Sequence, residues 1–136
     1  MPEGYHTVTP YLVVKNASEF LSFMKQAFAA KECIKHVSEN GEINHGEVEI
    51  GDSKVMFGSA SGKVRPFPAM LHLYVKDADA IYQRALKAGA ISLREPQDRP
   101  FADRTCGVKD TWGNQWWIAT HIENVSPEEI ERMNKV

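Results

Sequence analysis

Apolar and polar positions alternate along this chain with two different periods, and the periods appear twice in the same order. Val8 to Val14 is β-branched and aliphatic, broken only by Pro10, which predicts a strand at a sheet edge or one that begins near the proline. Phe20, Leu21, Met24, Ala27 and Phe28 then recur at helical spacing, so a helix runs from a cap at Asn16 or Ser18 to about Ala30. Glu32 to Ser38 returns to a strand. Glu39-Asn40-Gly41-Glu42 reads as a hairpin turn, because Asn-Gly accepts the positive φ angles of tight turns. Ile43 to Ile50 and Lys54 to Ser59 are two more strands, joined by Gly51-Asp52-Ser53.

Ser59 to Pro68, rich in Ser, Gly and Pro, is a linker, after which the pattern restarts. It runs through a strand at Met70 to Val75, a helix from about Ala78 to Ala88 stopped at Gly89, and a strand near Ile91 to Arg94. A loop through Pro96 to Pro100 leads to a strand near Arg104 to Asp110, a turn at Thr111 to Asn114 and a strand from Gln115 to His121. Ser126, Pro127 and the acids after them mark the first turn of a short terminal helix over 126–134. Each half is thus a β-α-β-β-β unit. The fold class is α+β, a single domain over 1–136 with module one at 5–60, a linker at 61–68 and module two at 69–121.

The repetition extends to residue identity. A shift of 61 positions lays Tyr11-Leu-Val-Val-Lys-Asn-Ala17 on His72-Leu-Tyr-Val-Lys-Asp-Ala78, and Gly46 on Gly107, without a gap. Two fused copies of one unit, facing each other, are expected to enclose a cavity between them.

Composition narrows the function. With 136 residues, 43% hydrophobic and 10% aromatic, the halves are expected to share one core. A formal charge of -2 and a pI near 6.2, with no basic run, argue against nucleic acid as a partner. No basic, apolar leader and no membrane-length apolar run is present, so the expectation is a cytoplasmic protein with no membrane partner. Cys33 and Cys106 form no CxxC pair, and reduced thiols are expected. Cys106, between Thr105 and Gly107, reads as a small half-buried residue rather than a nucleophile.

Strand alternation assigns faces. Leu12, Val14, Val55, Phe57, Leu71, Leu73, Val75, Trp116 and Ile118 fall on one side, apolar enough to lie under the helices. Thr9, Tyr11, His45, Glu47, Met56, Met70, His72, Tyr74, Gln115 and Trp117 fall on the other. That aromatic and polar mixture suits a small-molecule pocket, and these residues are expected to line a cup.

The repeat, together with Tyr5-His-Thr-Val-Thr-Pro-Tyr-Leu12, His45-Gly-Glu-Val-Glu-Ile-Gly-Asp-Ser53, Leu71-His-Leu-Tyr-Val75 and Asp103 to Gly107 through Trp117 to His121, resembles the vicinal oxygen chelate superfamily. Within it the chain is similar to the PhnB-like branch of glyoxalase/bleomycin-resistance proteins. The resemblance covers about residues 5 to 121 and implies tandem β-α-β-β-β modules forming a cup-shaped mixed sheet. It also implies four metal-ligand positions, which fall on Thr9, Met56, Met70 and Trp117. None is the His or carboxylate that a divalent metal favours, so no metal and no other cofactor is expected there.

Other polar residues offer further chemistry. His45, Glu47 and His72 share the expected cup face and could form a displaced metal site or an acid-base pair. Alternatively, His45 and Glu47 pair with each other or with Arg104, while His72 bonds to a tyrosine. Arg104 beside Asp103 would give the pocket a cationic fork and an acceptor, or would brace the 95–104 loop. Arg94 and Arg99 read as surface residues, and His121 as solvated rim. Trp117, standing where a ligand to metal would be, offers a stacking surface for a flat or cationic molecule, with Tyr11, Tyr74 and Gln115 as polar handles.

Three functions follow: a metal-independent protein, expected to be a homodimer, that binds a small organic ligand through Tyr11, His45, Glu47, Met56, His72, Tyr74, Arg104, Gln115 and Trp117; a divalent-metal-dependent lyase, dioxygenase or transferase using the displaced site; or an interaction module with a filled cup. The first accounts best for the lost ligand positions.

Overall fold

The computed structural model describes residues 1–100, 103–122 and 128, and over them the chain forms two β-α-β-β-β modules. The first comprises β1 (Tyr11–Val14), α1 (Ala17–Phe28), β2 (Lys31–Val37), β3 (Ile43–Ile50) and β4 (Ser53–Ser59). The second comprises β5 (Met70–Tyr74), α2 (Ala78–Lys87), β6 (Ile91–Asp98), β7 (Asp103–Lys109) and β8 (Gln115–His121). Apart from Glu128, the helix expected over 126–134 lies outside the described residues.

Local chemistry sets most boundaries. β1 begins only after Pro10, whose carbonyl accepts from Met56 N–H, so the strand is shorter than the apolar run from Val8 suggests. Asn16 adopts a left-handed conformation before α1 and makes no side-chain cap; its carbonyl accepts from Phe20 N–H. At α2 the cap is Asp77, whose carboxylate accepts from Ala80 N–H, and Gly89 at φ 108° ends the helix.

Each module folds its strands into one four-stranded sheet, ordered β1-β4-β3-β2 and β5-β8-β7-β6, with the first pair parallel and the others antiparallel. The nine residues expected under the helices do lie there: Leu12, Val14, Val55, Phe57, Trp116 and Ile118 are buried, and Leu71, Leu73 and Val75 pack at the margin. The two helices pack on each other, and the helix-covered sides of both sheets share one core. Phe28 of α1 stacks 4.4 Å from Trp116 of β8, and Trp112, in the β7–β8 turn, packs on Phe20 and Phe23 and donates from Nε1 to the Lys15 carbonyl at 2.6 Å.

The repeat is not uniform in register. β1 pairs Tyr11 with Met56, and β5 pairs His72 with Trp117, which keeps the 61-residue shift. In the antiparallel hairpins, however, Glu47 lies opposite Met56 while Gly107 lies opposite Trp117, so β3 maps onto β7 with a shift of 60. The ungapped alignment of Gly46 with Gly107 is therefore corrected: Gly46 corresponds to Cys106. The cause is a helix shorter in the second module, 10 residues against 12, offset by one extra residue in the connection to β6, and then a longer β7–β8 turn that restores the original shift.

Candidate functional site

The helix-free faces of both sheets look away from the shared core, and the cavity expected between the modules lies apart from most of those faces, lined by residues of both modules. A cleft of about 1360 Å³ lies between β1 and β5, lined by Tyr11, Phe28, Lys54, Leu71, His72 and Tyr74 among others. Of the nine predicted site residues only Tyr11, His72 and Tyr74 border it. The rest lie on the helix-free faces or, in one case, beneath them.

On the first sheet, strand register sets Tyr11, Met56, Glu47 and Ile34 side by side across β1, β4, β3 and β2. Glu47 is buried and its Oε2 lies 2.7 Å from His45 Nε2, while Tyr11 Oη lies 3.2 Å from His45 Nδ1. With the Nε2 proton donated to Glu47, Nδ1 is left to accept from the phenol. Gly58 makes this chain possible, because a β-carbon there would stand 2.8 Å from the tyrosine oxygen. His45 and Glu47 thus pair with each other, as the simpler alternative had it. His72 sits on the other sheet, edge-to-face with Tyr74 at 4.8 Å, so the three do not converge on a displaced site.

On the second sheet the matching row is His72, Trp117, Gly107 and Arg94. The Trp117 ring lies over Gly107, where a β-carbon would stand 2.6 Å from two of its carbons, and its Nε1 donates to Gln115 Oε1 at 3.0 Å. Arg94 lies over the same ring, its guanidinium carbon 4.9 Å from the centroid, and donates from Nη2 to Thr105 Oγ1. Arg94 is half-buried rather than a plain surface residue. Ser92 faces the helix side, bonded to Tyr82, and simple alternation would send Arg94 there too; a bulge between them turns it to the open face. A second irregularity follows before Gln97, across Pro96, so β6 runs on to Asp98 where a loop was expected. A proline inside a strand-like run was the one sequence signal of this irregularity.

Arg104 is the correction among the site residues. It lies on the helix side, forking onto Asp79 of α2 at 2.7 and 2.9 Å and reaching Asp98 at 3.1 Å, while neighbouring Asp103 pairs with His121 at 2.7 Å on the opposite side. Asp103 and Arg104 are adjacent along the strand, so their side chains take opposite faces. The fork holds Asp79 below the usual carboxylate range and raises Arg104. Cys106 faces the helices as well, fully buried, and burial pushes its thiol up to about 11, which suits packing and not attack on a substrate. Exposed Cys33 has the Lys54 ammonium 3.4 Å from its sulfur; Lys54 in turn holds Glu49 at 2.9 Å, lowering that carboxylate while being raised itself.

The family model of the Glyoxalase/Bleomycin resistance protein/Dioxygenase superfamily matches residues 5–118. The chain belongs to that superfamily. An uncharacterised protein of Mycobacterium bovis is 30% identical over 135 residues, 91% of this chain and 89% of the relative. Among solved structures, TioX from Micromonospora sp. ML1 is similar at a TM-score of 0.73 and 20% identity, covering 85% of this chain and 98% of that one. The PhnB protein of Bacillus cereus is similar at a TM-score of 0.70 and 15% identity, covering 85% and 99%. Superfamily members that hold a metal need nitrogen or oxygen donors at four positions, and this chain does not fit that need. Thr9 donates locally to the His6 carbonyl, Met70 pairs with Gln115 rather than with the Trp117 position, and Met56 and Trp117 offer a thioether and an indole. Among the described residues no group of three or more His, Cys, Asp and Glu is placed to hold a metal ion, and no helix is long and apolar enough to cross a membrane.

Proposed function

We propose that this protein binds a small organic molecule without a metal, on the Trp117 face of the second sheet, in a cup that a second copy of the chain completes. The observation that carries this reading is Trp117 itself: an indole spread over a glycine on an otherwise open sheet face, at a position where the superfamily's metalloenzymes need a ligand. A flat π-surface recognises flat partners by stacking. Homodimerisation is supported by the exposed Tyr11, Met70 and Tyr74, and by faces that each supply half a lining. The first sheet of one copy, with Tyr11, His45, Glu47 and Met56, would stand opposite Trp117, Gln115, His72 and Tyr74 of the other.

Titration with a panel of planar metabolites, read by Trp117 emission against a Trp117→Phe control, tests the stacking. At least one compound should quench the wild type and leave the variant unaffected; silence across the panel favours the filled-cup module. Sedimentation analysis should give a dimer. Protein purified without chelator should contain substoichiometric metal. Stoichiometric Ni, Zn, Fe or Mn that disappears in His45→Ala would overturn the metal-free reading in favour of a metal-dependent enzyme.

A further inference from the structure

We infer that the Trp117 platform selects anionic aromatic molecules, with Arg94 as the group that receives the carboxylate. The inference rests on the binding reading above and names its ligand class. Four features of this row point to it.

The first is the bulge. Between Ser92 and Arg94 the strand spends an extra residue, and the effect is to move one arginine from the helix side to the open side of the sheet. Bulges re-aim side chains in this way near binding sites. The second is charge. Among the described residues no carboxylate lies within ion-pair distance of Arg94, although the side chain is half-buried; the basic residues that do have a carboxylate partner are Lys25, Lys35, Lys54 and Arg104. The third is the donor inventory. A guanidinium carries five N–H donors; Arg94 satisfies one through Nη2 to Thr105, and its Nε is buried with no acceptor. The fourth is placement. The guanidinium lies over the indole, so the cation-binding position of the ring is already taken. A cationic ligand, suited to a bare indole, would meet like charge here. A flat anion gains twice, by packing on the part of the half-buried indole that the guanidinium leaves uncovered and by accepting from an arginine whose planar fork matches a carboxylate.

The test uses the full-length protein and three probes of one shape: 2-naphthoate, 2-naphthamide and 2-naphthylmethylammonium, titrated by calorimetry. Naphthoate should bind at least tenfold more tightly than the amide, the ammonium most weakly, and Arg94→Gln should bring naphthoate down to the amide. Arg94→Lys, which keeps the charge and loses the fork, should fall between. A measurement without substitution runs in parallel: the Arg94 Nε–H and Trp117 Nε1–H resonances of the wild type should both move on adding naphthoate, and only the indole on adding the amide. Equal binding of all three probes, tightest binding of the ammonium, or a naphthoate preference that persists in Arg94→Gln overturns the anion selectivity and leaves the stacking reading standing. Failure of every probe to bind removes both.

Discussion

Trp117 and Gly107 occupy one another's space: the indole covers the glycine so closely that a β-carbon at 107 would stand 2.6 Å from Cε3 and Cζ3 and 2.9 Å from Cη2. Real β-carbons do not approach that near, so Gly107→Ala has to lift the ring from the sheet or shift β7. The cost of such overpacking is about 1–3 kcal/mol, and the ring leaves its place beside Arg94. The variant is expected to fold with a lowered urea midpoint and with ligand affinity reduced about tenfold or more. Wild-type affinity in Gly107→Ala would detach the glycine from the platform.

The same pair marks where the sequence was readable and where it was not. Strand alternation placed Trp117 on the open face and Trp116 in the core, because a period of two follows from backbone geometry and survives any tertiary arrangement. The 61-residue shift located both modules for a similar reason. What alternation could not carry was a change of count: the shorter α2 and the bulges in β6 each displace the register, and a single extra residue exchanges the two faces of a strand. Arg94 was missed for that reason, and Gly107 was aligned with Gly46 when its structural counterpart is Glu47. The sequence leaves Arg104 open between the pocket and a brace for the 95–104 loop, because its main partner Asp79 lies 25 residues away on a helix, at a distance in sequence that no local pattern reports. The arrangement of the modules about a shared helical core, with open faces outward, depends on Trp112 and Phe28 crossing between them, and neither residue announces its partner.

The Asp79–Arg104 fork predicts a pH signature. Arg104 depresses the folded carboxylate, so the pair stabilises the fold fully at pH above the ordinary unfolded value of about 4. That contribution is lost as the pH falls through the depressed value. Both side chains are partly exposed, 48% and 36%, so solvent screening keeps the gain small. Asp79→Asn should therefore melt slightly below the wild type at pH 7, and the two curves should converge as the pH is lowered toward about 2. A gap that stays constant across that range would show that Asp79 acts through packing or its place in the first turn of α2.

Among the described residues, Asp110 accepts more hydrogen bonds than any other buried side chain. It is 4% exposed, and its Oδ1 accepts from Trp112 N–H and Asn114 N–H at 2.9 Å while its Oδ2 accepts from Asn114 Nδ2 at 3.1 Å and Trp116 Nε1 at 2.8 Å. The turn it organises presents Trp112 to Phe20, Phe23 and the Lys15 carbonyl, so the first module is held partly through this one carboxylate. Asp110→Ala leaves buried donors unpaired and should cost about 3 kcal/mol or more in urea denaturation. Asp110→Asn keeps the shape but turns an amide toward donors, and should recover little of that loss. Trp112→Phe isolates the bridge to module one, since it preserves much of the ring packing and deletes only the bond to Lys15, at about 1 kcal/mol. If Asp110→Ala came within 1 kcal/mol of the wild type, water would be replacing the carboxylate at the centre of the turn, and the connection between modules would rest on Phe28 and Trp116 instead.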